Sequence, residues 1–376
     1  MTAKGKHWHI DANGVLTIGK GFKRGKGFLP WFNDSDSITA VHLEEGMEEI
    51  ERDACAYLKG IRSLELPRSL KRIGMGAFED CSNLREVAIP EGVVSIGERA
   101  FMGCESLRKL SLPSSLLEIG DLGLGCNSEK FLRIDVAPDN PRFTSVDGIL
   151  FNKDRTELLL YPGGKRRKRY VVPETVRKIG ENAFAYARHL EEAILPETLE
   201  EIGSGIFEFS RKIKKAFIPD GVKVIPPYAF FCCESLQELR LPERLEHLGY
   251  ESFANCTSLS SFRIPNGVPM LDYAVLASCP IKEIVIPESV TEINNSAFYE
   301  CTELERVTLP ESLTAIWEKA FRYCRSLKEI TIPSNVWHIT DDVFDGCPSL
   351  KKAVVRSKVL ENMYWVPKGC QIVRKD

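Results

Sequence analysis

"IPESVTEINNSAFYECTELERVTLPESLTAIWEKAFRYCRSLKEITIPSNV", residues 286–336, speaks the same phrase twice: Pro287, Phe298 and Cys301 are answered 23 residues later by Pro310, Phe321 and Cys324. The prolines extend the pattern outward to Pro67, Pro90, Pro113, Pro173, Pro196, Pro219, Pro242, Pro265 and Pro333, in steps of 23 apart from one of 22 and one of 60. A fixed period of this length means that each phrase is one structural unit, too small to bury its own apolar face, so neighbours must stack.

One unit, 287–309, shows how. Val290, Ile293, Ala297, Phe298, Cys301, Leu304, Val307 and Leu309 are apolar among mostly polar neighbours. The closing "LERVTL" alternates Val307 and Leu309 inward with Arg306 and Thr308 outward, which is strand periodicity. Proline then fixes φ and removes a ladder donor, so the chain turns at each "IP". The stretch "ESVTEINNSAF" is too short for an ordinary helix and predicts irregular or 3₁₀ turns on the convex side, with Phe298 plugging the core. Stacked strands about 4.8 Å apart give roughly twelve units and one parallel sheet.

The totals agree with a large folded chain: 376 residues, 43% hydrophobic and 27% charged. A net charge of −3 offers no global attraction to nucleic acid or to an anionic membrane. No window has the length of apolar sequence that a membrane span needs, and "MTAKGKHWHIDANG" lacks the apolar segment of a secretory signal. This predicts a cytoplasmic protein if the chain is full length, and an exported one if a leader has been removed.

The phrase "LKRIGMGAFEDCSNLREVAIPEGVVSIGERAFMGC" at 70–104 resembles the BspA-like leucine-rich repeat family, whose repeat joins proline, an Ala-Phe pair, cysteine and the strand leucines. The resemblance covers nearly the whole chain. It implies an α/β-type repeat solenoid, mostly β and irregular: a right-handed leucine-rich repeat array with one curved parallel β-sheet and a β-rich N-terminal cap. The expected division is a cap module at 1–43 and a solenoid at 44–376, with a β-hairpin insertion at about 128–168 and a degenerate last repeat. The family further implies nonenzymatic recognition proteins of the bacterial surface, often adhesins, with a protein partner on the host or a bacterium. An intracellular scaffold is the alternative.

The cysteines occupy a repeat register: Cys81, Cys104, Cys233, Cys256, Cys301, Cys324, Cys347 and Cys370, shared by Cys126 and Cys279 with a one-residue indel nearby. Ala187 and Ser210 fill the same slot elsewhere, so it needs a small packing residue rather than a ligand or a bond. Disulfides would be within reach of stacked neighbours, yet a ladder of reduced, buried thiols is the expectation, with Cys232 as the exposed one. Phe78, Phe101, Phe184, Phe230, Phe253, Phe298, Phe321 and Phe344 share another register and form the expected core.

No catalytic, cofactor or metal constellation emerges. "GKGFKRGKGF", 19–28, lacks phosphate-loop spacing and reads as a flexible hairpin; His7, His9 and Asp11 alternate on a strand and read as a solvated face rather than a metal half-site. The long step between Pro113 and Pro173 leaves 37 extra residues, in which "GILF" and "ELLLYP" flank the turn-like "NKDRT", and it ends in the basic run Lys165 to Arg169. Without interleaved aromatics that run does not read as a nucleic-acid site. Alternate strand residues define the open face, from Ser63/Glu65 to Lys352/Val354, where signs alternate along the stack as cross-strand ion pairs require. Val171, Ile194 and Phe217 interrupt that strip. With Lys215, Arg166, Arg167 and Arg169 they are the expected partner-binding residues.

Overall fold

A computed structural model describes residues 3–23, 25, 27–125, 128–357 and 363–375. By its internal contacts the chain forms two compact units, Met1–Arg166 with Asn182–His189, and Arg167–Glu181 with Leu190–Asp376.

The first unit begins with an antiparallel meander of Ala3–Gly5, Trp8–Ile10 and Val15–Ile18. Val15–Ile18 then pairs in parallel with Ala40–Leu43. Trp31 is fully buried beside Trp8 and Phe22, with ring centroids 5.4 and 5.0 Å away. The hairpin expected at 19–28 is not formed: its described residues carry no strand, and Phe22 turns inward onto Trp31 instead. Arg24 and Lys26 lie outside the described residues.

From Ala40–Leu43 onward the repeats contribute strands to a major parallel ladder. In the first unit isolated bridges at His42–Glu65 and Ser63–Glu86 lead into Glu86–Ala88, Lys109–Leu112 and Arg133–Val136. A second, minor ladder of two-residue strands runs through Glu49–Ile50, Arg72–Ile73, Ser95–Ile96 and Glu118–Ile119. It occupies stretches whose sequence predicts irregular chain, because two residues are too few to display alternation. The solenoid of stacked parallel strands is therefore as expected, with two ladders per repeat rather than one.

The remaining turns are not 3₁₀; the 3₁₀ helix among the described residues is Phe32–Ser37. Nearly every repeat instead places two residues in the left-handed region, one two positions before the plug and one two positions after it: Ser296 (φ 59) and Glu300 (φ 57) flank Phe298. Their amides donate to carbonyls of the next repeat, Ser296 to Glu318 at 2.8 Å and Glu300 to Arg322 at 2.9 Å. The turns of each unit are thus hydrogen-bonded tier to tier, which accounts for backbone groups that would otherwise be orphaned near the core.

The long step holds a repeat strand of its own, Arg133–Val136, in register with Lys109–Leu112. A three-stranded antiparallel meander comes next, Phe143–Val146, Ile149–Asn152 and Glu157–Leu160, one strand more than a hairpin. Asp147 (φ 52) and Gly148 (φ 72) make its first turn, the left-handed pair that a two-residue hairpin loop demands. Tyr161 closes it as the core plug of that tier, fully buried 5.2 Å from the Phe184 ring.

In the second unit the major ladder runs Arg169–Val171, Glu192–Ile194, Lys215–Phe217, Glu238–Arg240. It breaks at 259–264, where Ser260 donates back to Ser258 and no strand forms, and resumes with Glu283–Val285 and Arg306–Thr308. Glu329–Ile332, Lys352–Val355 and Gln371–Arg374 end it. Trp365 plugs the last tier, 5.8 Å from Phe344.

Candidate interaction surface

The eight phenylalanines of the expected core register are all fully buried. So is Phe207, which belongs to the same register but follows isoleucine instead of alanine, and Leu276 holds the slot one tier beyond Phe253. Phe230–Phe253, Phe298–Phe321 and Phe321–Phe344 stack with centroids 5.1 to 5.5 Å apart.

The cysteine slot is explained by geometry. Cys104 donates its thiol to the carbonyl of Phe78, the plug of the preceding tier, at 3.2 Å, and Cys233, Cys256, Cys279 and Cys324 do the same to Phe207, Phe230, Phe253 and Phe298 at 3.2 Å. Cys81, Cys301 and Cys347 bond Cys55, Leu276 and Phe321 at 3.0, 3.2 and 3.1 Å. All eight are buried, and the eleven described cysteines are unbridged. Burial pushes the thiols up, to about 12 for Cys81, Cys301 and Cys347, so they are neither nucleophiles nor ready metal ligands. Cys370 departs from the register: it is half-exposed, because Trp365 comes 21 residues after Phe344 and shifts the final tier. Cys232 is half-exposed as well, and Cys126 lies outside the described residues.

The polar candidates resolve into structure. Asp11 accepts backbone hydrogen bonds from Val15 (2.8 Å) and Asn13 (2.9 Å), which hold its carboxyl below the usual range; it shapes a turn. Among the described residues no group of three or more His, Cys, Asp or Glu side chains could hold a metal ion, and no helix is long and apolar enough to cross a membrane. The basic run is divided. Lys165 bonds the Asp147 carbonyl at 2.6 Å in the first unit, while in the second Lys168 pairs with Glu191 at 3.0 Å and Arg169 with Glu192 at 3.0 Å. Arg166, in the first unit, and Arg167, in the second, are exposed.

On the open face of the second unit three rows run across the strands. In the outermost, Glu191 is held by Lys214 (2.8 Å) and Lys168 (3.0 Å), which lower its pKa to about 2. In the next, Arg169–Glu192 and Lys215–Glu238 (2.7 Å) alternate in sign and neutralise one another. The third row is Val171, Ile194 and Phe217, then Arg240, aligned by the strand register. Val171 is 57% exposed and Phe217 47%; Ile194 is half-buried between them. Beside Phe217 lies a shallow depression of about 230 Å³, lined by Ile194, Leu195, Glu197, Pro219 and Asp220. Val285, beyond the break in the ladder, is the most exposed of the strand valines at 69%. Val354, expected on this face, is buried between Thr331 and Val373 on the flanking strands.

The family model for the BspA-type leucine-rich repeat region matches residues 30–131, 165–280 and 271–372 in six copies, and the chain belongs to that family. Such repeats are typically binding scaffolds without catalysis. A leucine-rich repeat protein from Eubacterium ventriosum shares the fold at 21% identity and TM-score 0.67, covering 96% of this chain and 95% of that one. The pneumococcal vaccine antigen PcpA does so at 23% and 0.54, covering 90% and 74%. No curated protein matches the chain in sequence.

Proposed function

We propose that the chain is a nonenzymatic recognition protein that binds a protein partner through the third row of its open face, centred on Val171, Ile194 and Phe217. The observation that carries this reading is an exposed apolar row beside two rows whose charged side chains are ion-paired across the strands. Folding does not require it, since Arg240 and Thr308 hold the same strand position elsewhere. An aromatic anchor in a depression with a polar rim suits a protein partner. Lys215 and Arg169 supply that rim, with Arg167 near the start of the same strand.

With a partner captured from host and bacterial extracts, Phe217→Ala is expected to weaken binding by about 1 to 3 kcal/mol, and Glu329→Lys to have little effect. Unchanged affinity in the first variant with loss in the second would move the site to the C-terminal repeats. The setting we favour is the bacterial surface, as an adhesin or secreted receptor. Protease treatment of intact cells separates that from an intracellular scaffold, which would survive it.

A further inference from the structure

The left-handed positions of the turns favour glycine, asparagine and aspartate, and Asp80, Gly103, Asn255 and Gly346 fill the slot two positions after the plug. Aromatics take such positions as well: Tyr57 (φ 65), Tyr186 (φ 57) and Tyr323 (φ 62) singly, and Phe209 (φ 55) and Tyr228 (φ 57) in adjoining tiers of the second unit. Because this fold accepts a ring at positive φ in several tiers, it is the clustering of the rings around Phe209 and Tyr228, not their backbone, that sets this stretch apart.

These two rings belong to a connected strip. Phe209 meets Phe231 edge-on at 5.4 Å, Phe231 meets Tyr228 at 5.8 Å, and Tyr228 meets Tyr250 at 5.0 Å. Tyr250 is 39% exposed and Tyr273, one tier on, 48%. Glu208 and Glu251 stand among the rings. Burial raises both carboxyls above their ordinary range, with the charge of Glu251 adding to the effect on Glu208. The backbone places them together: the amides of Phe209, Tyr228 and Glu251 donate to the carbonyls of Phe231, Tyr250 and Tyr273 at 2.9, 3.1 and 2.8 Å, and Glu208 adjoins Phe209 in the chain. Neither carboxylate is ion-paired among the described residues, whereas Glu234 on the adjoining turn engages Arg211 at 3.2 Å and Asp345 faces Arg322 at 4.0 Å.

We propose that this strip is a second docking surface, which receives a basic peptide segment of a partner through its guanidinium or ammonium groups. Ring faces carry negative potential and attract cations, and two partly desolvated carboxylates lack the countercharge that a basic segment brings. An acidic or purely apolar partner would deepen their desolvation without compensation, so charge complementarity selects the occupant.

The test is fluorescence anisotropy with a labelled peptide alternating arginine and glycine, and a glutamate-glycine peptide for comparison. Wild type should bind the first and ignore the second. Glu208→Gln/Glu251→Gln and, separately, Tyr250→Ser/Tyr273→Ser should each weaken binding about tenfold. Glu303→Gln/Asp341→Asn removes the same charge from exposed positions elsewhere in the unit and should leave affinity unchanged. Phe217→Ala should also leave it unchanged, which separates this surface from the one on the strands. Equal affinity in the Glu208/Glu251 variant, or an equal loss in the Glu303/Asp341 variant, overturns the proposal, as does a wild type that binds neither peptide.

Discussion

Replacing Phe298 by alanine tests the packing that holds the repeats together. The side chain is wholly buried, and its ring lies 5.1 Å from Phe321, nearly parallel at 5°; Phe321 in turn stacks on Phe344. Truncation therefore opens a ring-sized cavity whose wall is another rigid ring, held by a backbone that is hydrogen-bonded on both tiers. Little collapse is available, so the cost should fall in the upper part of the usual Phe→Ala range, about 4 kcal/mol. Leucine is an internal control, because Leu276 and Leu124 already occupy this register and are buried there. Phe298→Leu should cost only about 1.5 kcal/mol. Guanidinium melts monitored by circular dichroism give the stabilities, and hydrogen exchange at Phe298 and its neighbours in 276–344 gives the location, since repeat stability is carried by nearest-neighbour interfaces. A loss below about 1 kcal/mol for alanine, or equal losses for alanine and leucine, would refute the argument from buried volume.

Local chemistry sets two further outcomes. Burial raises the thiol of Cys301 to about 12 in the native state, so the stability it carries is fully present below the unfolded thiol's pKa and is lost as pH rises from there toward the folded value. At pH 10.5 it should cost about 2 kcal/mol, and Cys301→Ala should flatten the fall in stability between pH 8 and 10.5; an unchanged slope would show that this thiol ionises freely in the native state. Glu300 is exposed at φ 57, so Glu300→Gly should relieve backbone strain and raise stability by up to about 1 kcal/mol; a loss in the same melts would mean that its side chain contributes more than the strain costs.

The repeat made the stacked strands, the phenylalanine plugs and the thiol register legible, because those positions must be filled alike in nearly every tier. The minor ladder was hidden for want of length: Glu292–Ile293 offers one inward residue and no alternation. The left-handed positions were hidden by variety, since tyrosine, phenylalanine, glutamate and serine stand where glycine would announce them. Spacing alone places Arg133–Val136 within the insertion, because its repeat has "APDN" where others have "IP", and Tyr161 with it, because the plug there is not phenylalanine. The row of Val171, Ile194 and Phe217 could be placed on one face from spacing alone, but not the pairing of Lys168 and Arg169 that breaks up the basic run, which depends on where the neighbouring glutamates fall.

A repeat also supplies its own standard of comparison. Each slot has counterparts in other tiers, so an unusual occupant can be judged against what the fold accepts at that position without reference to any other protein. Charge is the commoner occupant of the open strands, while the left-handed turns accept isolated tyrosines as well as small and polar residues. Phe217 departs from the first pattern, Phe209 and Tyr228 stand out by joining a connected strip of rings, and all three lie within the same few tiers of the second unit. The two departures differ in chemistry. On the strands the charges around the apolar row are already satisfied by their neighbours, which leaves shape and apolar contact to select a partner. On the turns Glu208 and Glu251 have no ion pair among the described residues, which is the basis of the proposed basic partner. One short stretch of repeats can therefore hold two ligands of different character, because the strand and turn slots vary independently while the plug between them stays the same.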